Sequence, residues 1–224
     1  MDFHIDKYLW TTSDFEELGW HDCTIYKIRI DTDLEMDIDY ILKWNSPDID
    51  GLPFTFWISP ATLVFRSISN LKMDLEDNYK SSIEIDYIEM EGSGDSRQWD
   101  IATQNGLIQF KSTGFEQYIR QKPFFEFSQT IAHLDRGGFS LERTINQENK
   151  NRYFEESVQR RARDFENYEL VKKRHLANLE LSELLVLREN AAIDAKTYLT
   201  KKRELQDVVY SCDHFLKRTR FEEW

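Results

Sequence analysis

Residues 23–31 and 34–44 alternate: the even positions Tyr26, Ile28, Ile30, Met36, Ile38 and Tyr40 are apolar, and the odd ones are mostly charged. A period of two marks half-buried β-strands. Every odd position from Asp31 to Asp39 is acidic: Asp31, Asp33, Glu35, Asp37 and Asp39. A loop with an odd number of residues, centred on Asp33, keeps apolar residues opposite apolar ones. It pairs Asp31 with Glu35, Arg29 with Asp37 and Lys27 with Asp39. In this reading the carboxylates form the solvated face of a hairpin, and two of them gain cross-strand cations worth about 0.2–1 kcal/mol each. Asp31, Asp33 and Glu35 are left at the hairpin end without a cation near in sequence, which makes them candidates for contact with a basic partner.

Similar patterns follow. "FTFWIS" and "TLVFRSIS" read as strands flanking Pro60, and "LKMDLED" and "SSIEIDYIEMEG" alternate. In "QWDIATQNGLIQFKS", Asn105-Gly106 suits the positive φ angles of a type I′ turn, which would pair Ile101 with Phe110 and Thr103 with Ile108. "GFEQYIRQKP" reads as a short helix over 115–121, stopped by Pro123. "FFEFSQTIAHL" and "GFSLERT" read as a last strand pair turning at Gly137-Gly138. Some eight strands joined by tight turns predict an antiparallel sandwich, barrel or curved sheet.

Beyond Gly138 there is neither glycine nor proline, the two poorest helix formers. The pattern there changes to a three-four spacing. Positions 177, 181, 184, 188, 191, 195, 198, 202, 205, 209, 212 and 216 form a seam broken only by Arg188 and Lys202. An earlier stripe through Phe154, Val158, Phe165 and Tyr168 is out of phase with it, which places a turn between Lys172 and Asn178. A competing site is "ENAAID", where Asn190 could end one helix and Asp194 cap the next; the unbroken spacing argues against it. "TINQ" at 144–147 has the form of a capping box. The expected architecture is therefore α+β: an antiparallel β domain over 1–144, then a helical hairpin or coiled coil over 145–224. A helix from 179 to 220 would run about 60 Å, so its seam needs a mate. Homodimerisation through Leu181, Leu184, Tyr198, Leu205, Val209 and Leu216 is the leading expectation, ahead of a hairpin within one chain.

Charge sharpens this division. Of the formal net charge of −12, residues 1–144 carry −13 and residues 145–224 carry +1. Such a field repels phosphate, which argues against direct nucleic-acid binding by the basic run "RRARDFENYELVKKRH", and it steers a cationic protein inward. No stretch is apolar enough to span a membrane, and the acidic N-terminus does not resemble a secretory signal. A cytoplasmic protein is expected, with Cys23 and Cys212 as reduced thiols.

Chemistry-bearing patterns are sparse, and no cofactor is expected. P-loop, dinucleotide, nucleophile-elbow and zincin motifs are absent from the sequence. His21-Asp22 beside Cys23 could suggest a thiol dyad, but neighbours on a strand point to opposite faces. His133 and Asp135, two apart on an expected strand, would share a face and could join strand acids in a metal-dependent hydrolase. That is the third reading, and the weight falls on binding without catalysis.

The stretches "ELGWHDCTIYKIRI" and "LEMDIDYILKW", with "FWISPATLVFRSI" after them, resemble the opening of small β-rich bacterial immunity proteins from polymorphic-toxin systems. Those proteins often carry a His-Asp pair ahead of a first hairpin. The resemblance implies a cytosolic, non-enzymatic binder, with Trp20, His21 and Asp22 at the matching positions. The helical residues 145–224 depart from that pattern and point to an assembled or multi-component role. Two expectations result: an immunity-like protein whose acidic β surface meets a basic partner, and a structural or accessory subunit docked through its helices.

Overall fold

The computed structural model of the chain describes residues 3–76, 82–147 and 154–224. Contacts divide it into two units, one of residues 1–46 and 54–154, the other of residues 47–53 and 155–224.

The first unit is a ten-stranded antiparallel sheet. Its strands are β1 (Leu9–Thr11), β2 (Cys23–Ile30), β3 (Leu34–Asn45), β4 (Thr55–Arg66), β5 (Ser69–Leu75), β6 (Ile83–Glu91), β7 (Arg97–Thr103), β8 (Gly106–Ser112), β9 (Gly114–Ile119) and β10 (Phe124–Glu126). The order across the sheet is β1-β9-β4-β3-β2-β6-β7-β8-β5, with β10 also paired to β4. Four strand steps separate β4 from β7, about 19 Å in a flat sheet, yet the rings of Phe65 and Trp99 lie 4.9 Å apart and Phe65 reaches Phe110 at 4.8 Å. The sheet therefore curls round one core, in which Leu34, Met36, Ile38, Leu63, Phe65, Trp99, Ile101, Ile108 and Phe110 are almost fully enclosed.

The first hairpin has the odd loop expected of it, but the loop centres on Thr32: Ile30 faces Leu34, Arg29 faces Glu35, Ile28 faces Met36 and Lys27 faces Asp37. The two-residue offset keeps residues 27–30 on their expected sides of the strand, whereas Tyr26, at the bulge, turns to the side of Asp39. A bulge between Ile25 and Lys27 then shifts the rest. Pro60 does not divide two strands; β4 runs through it. Pro60 lies between the stretch paired to β10, which ends at Ile58, and the stretch paired to β9, which begins at Ala61. Its carbonyl accepts the Arg120 amide on that side, so the missing N–H falls in the gap. The hairpin of β7 and β8 turns one residue earlier than expected, through Gln104-Asn105, and pairs Ile101 with Ile108. Gly106, at φ +135°, is required by close approach: a Cβ there would lie 2.0 Å from the Asp74 carbonyl oxygen of β5.

Two further expectations are corrected. Residues 115–121 are not helical, because Gly114–Ile119 alternates enclosed and half-open positions as β9 between β1 and β4. The pair expected around Gly137-Gly138 is instead the short β10, one helical turn α1 (His133–Arg136) and an irregular strap to Gln147. "TINQ" starts no helix: Asn146 has φ 45°, and Gln147 bridges Gln121.

The second unit is a helical hairpin of α2 (Phe154–Glu189) and α3 (Ala195–Leu216). α2 runs unbroken through 172–178, so the turn lies at the competing site. Ala191, at φ 53°, sits in the left-handed position. Its N–H bonds the Arg188 carbonyl, and that of Ala192 bonds Leu187, which is the paired closure of a Schellman motif without its usual glycine. Asp194 then caps α3 by accepting from the amides of Lys196 and Thr197. Arg174 bonds Asp213 at 2.8 Å and Arg220 bonds Asp164 at 2.8 Å, tying the two arms antiparallel. Of the six seam residues expected in a dimer, Leu184 and Leu216 are buried, and Leu181, Tyr198, Leu205 and Val209 are half-buried.

Asp194→Ala is expected to cost about 1 kcal/mol of hairpin stability, and Gly106→Ala more than about 1 kcal/mol, from strain plus the clash with Asp74. Urea unfolding followed by circular dichroism measures both.

Candidate binding surface

Three members of the acidic row do not face water. Glu35 is 3% exposed, and Asp37 and Asp39 are completely enclosed, which overturns the expectation of a solvated face. A buried carboxylate needs a charged partner and filled hydrogen-bond sites, and the strap from Arg120 to Arg143 supplies them. The Arg136 guanidinium grips both oxygens of Asp37, one at 2.8 Å, while its Nε donates to Asp39 at 2.8 Å. Arg120 donates to Asp37 at 2.6 Å and to Thr62 Oγ1 at 2.6 Å. Amides fill the remaining sites: Ser140 on Asp37 at 2.9 Å and Ile131 on Asp39 at 2.8 Å. The Tyr26 hydroxyl also donates to Asp39, and its ring lies 4.2 Å beneath the Arg136 guanidinium.

Toward the hairpin end, Arg143 joins Glu35 at 3.0 Å and Asp33 at 2.7 Å, and Arg29 also binds Glu35. Arg66 links Asp33 at 3.2 Å to Glu116 at 2.5 Å. Five carboxylates (Asp33, Glu35, Asp37, Asp39, Glu116) thus meet five guanidiniums. Burial acts to raise the Asp33 carboxyl, but the Ser67 amide, Arg143 and Arg66 outweigh it and hold it low. Glu116 is held low in the same way by Tyr118 and Arg66. At Asp39 burial prevails and pushes the carboxyl up against Arg136. Sequence reasoning placed Arg29 beside the row but missed Arg66, Arg120, Arg136 and Arg143. The available signal was that each stands in an apolar or turn setting, in "VFRSI", "YIRQ", "LDRGG" and "LERT".

The other candidate residues scatter. Trp20 is a core residue: it is 4% exposed, packs on Phe115 and donates its indole N–H to Gln117 at 2.7 Å. His21 is exposed, with Nδ1 3.0 Å from the Asp86 carbonyl oxygen. Asp22, at φ 61°, accepts from Gln129 at 2.7 Å. Burial pushes the fully enclosed Cys23 thiol up to about 12, which makes it a poor nucleophile. Asp31 is exposed, while Asp33 and Glu35 are occupied as above. His133 and Asp135 do not share a face, because α1 is a helical turn; the histidine is exposed and the carboxylate fully buried. Among the described residues no three His, Cys, Asp or Glu side chains stand together as a metal site.

With four of the row's five carboxylates paired and Asp31 left exposed, further acidity meets solvent elsewhere. On β6 and β7, Glu84, Asp86, Glu89, Glu91 and Asp100 are exposed or half-exposed, and none forms an ion pair with a described residue. Glu89 pairs with Asp100 between the inward pairs Ile88–Ile101 and Met90–Trp99, so these carboxylates point away from the core. Tyr87, 51% exposed, stands among them. No family model, curated protein or solved structure matches the chain.

In the helical unit, Arg174, Tyr210, Asp213, His214, Lys217 and Glu222 line an open cleft of about 500 Å³. Its arginine is engaged by Asp213 and by the carbonyls of Phe221, Glu222 and Trp224. The cleft is a joint of the hairpin. No helix is long and apolar enough to cross a membrane, among the described residues.

Arg136→Met should cost about 3–5 kcal/mol, since it leaves two enclosed carboxylates short of a partner, whereas Arg29→Gln, at a 57% exposed side chain, should cost less than about 1 kcal/mol. Chemical denaturation distinguishes the two. The ionised forms of Asp33 and Glu116 favour the folded state, so their contribution is present above the ordinary values of 3.8 and 4.5 and lost as pH falls through the lowered ones. Acid titration of stability should be shallower in an Asp33→Asn, Glu116→Gln double variant.

Proposed function

We propose that the protein is a non-enzymatic binder of a basic protein partner, immunity-like in character and cytoplasmic. The observation that carries this reading is the unpaired acidity of β6 and β7, which stays exposed after the β3 row is spent on internal arginines. Carboxylates without internal cations keep a field that speeds encounter with a cationic surface and disfavours anionic ones. The contact surface belongs on β6 and β7, not on Asp33 and Glu35.

A second reading, an accessory subunit or dimer docked through the helices, draws support from a different observation. Leu176, Leu179, Leu185, Val186 and Leu187 on α2, with Leu199, Tyr210 and Phe215 on α3, are each more than 40% exposed. These lie outside the expected seam, so docking through the helices would use them and not Leu184 or Leu216.

Affinity purification after crosslinking tests the two. Glu84→Gln, Glu89→Gln, Glu91→Gln and Asp100→Asn together should abolish recovery of a basic partner that is otherwise released at raised salt. Recovery unchanged by these substitutions but lost on Leu179→Ser with Val186→Ser would replace the first reading with the second.

A further inference from the structure

Trp44, an exposed aromatic side chain of β3, is held by three neighbouring rings. One edge packs against Phe56 at 4.9 Å, His21 stacks on it at 6.2 Å and 16°, and Phe54 approaches at 5.8 Å. Phe56 is buried, yet Trp44 remains 39% and Phe54 47% exposed. Water thus meets a large ring fixed from two sides. Such a ring loses little freedom on binding, which is the property of an interface hot spot.

The strand register places carboxylates beside it. Asp39, Thr24 and Glu84 form one row across β3, β2 and β6. Both pairings are antiparallel, so the direction from Asp39 to Trp44 on β3 runs from Thr24 back toward His21 and from Glu84 forward along β6. Trp44 pairs with Phe56, which shares its side of β4 with Thr62, beneath the strap and away from Phe65. Glu89 also points away from the core. Trp44 and Glu89 thus share a face of the sheet. His21, bonded to Asp86, bridges the interval. Lys43 lies on the opposite side of its strand.

We infer that the Trp44–Phe54 platform receives an arginine side chain of a basic protein partner, its guanidinium lying over the indole face with Glu84, Glu89 and Glu91 as the surrounding counter-charge. A planar, weakly hydrated guanidinium stacks on an aromatic face better than an ammonium does. This inference rests on the acidic-surface reading above and names its anchor.

The probe is a hexa-arginine peptide, with a hexa-citrulline peptide as the uncharged isostere, titrated into the full chain while the Trp44 indole N–H is followed by NMR. The arginine peptide should shift that resonance saturably and the citrulline peptide should not. Trp44→Leu, which keeps an apolar contact with Phe56, should weaken binding about three- to tenfold, and Glu84→Gln, Glu89→Gln and Glu91→Gln together should weaken it at least as much. Peptide binding that leaves the Trp44 resonance unmoved, or that is unchanged in Trp44→Leu, overturns the anchor. If the triple glutamine variant binds as tightly as the parent, the acidic-surface reading falls with it.

Discussion

A carboxylate with no access to water must be matched by a cation held in place, and that requirement organises the sheet unit. Asp37 and Asp39 project from β3 on the side opposite the core. Leaving them ionised and alone would cost several kcal/mol each, so the chain after β9 is drawn across them. Arg120 leaves the end of β9, Arg136 closes α1, and Arg143 completes the strap. The strap has little regular hydrogen bonding of its own, and side-chain charge takes the place of a backbone ladder. β3 and β4 can therefore be long and buried on both faces in an antiparallel sheet, which commonly keeps one face wet.

The same pairing redistributes the outward charge. A count of acids over residues 1–144 suggests that the β3 row dominates the field, but five guanidiniums cancel its buried part. On β6 and β7 the unneutralised carboxylates reach solvent, and the Tyr87 and Trp44 rings are exposed beside them. Formal charge summed along a sequence is thus a poor map of surface potential when arginines are internal.

Much of the architecture was legible in the chain. Alternation located β2, β3, β6, β7 and β8, and the absence of glycine and proline beyond Gly138 announced the helices. The errors have physical sources. Residues 115–121 contain good helix formers, but pairing on both sides drew 115–119 into a strand, a tertiary override of local propensity. The helical turn was misplaced because the apolar spacing runs unbroken across it and Ala191 takes the left-handed position normally held by glycine, which left only Asn190 and Asp194 as punctuation. The acidic row looked solvated because its arginines lie up to 110 positions away in the case of Arg143 and Asp33, and such pairings leave no local periodicity. For the candidate site, the alternating acids of β6 were readable and the exposure of Trp44 was not.

The matched charges also constrain how this sequence can change over time. Asp37 and Arg136 stand 99 positions apart, and replacing either one alone strands the other inside the protein. Drift at these positions must therefore pass through joint replacement or through a weakened intermediate. The exposed carboxylates of β6 form no ion pair with a described residue and can vary one at a time, so the molecule couples an interior of interlocked charges to a surface that can change residue by residue.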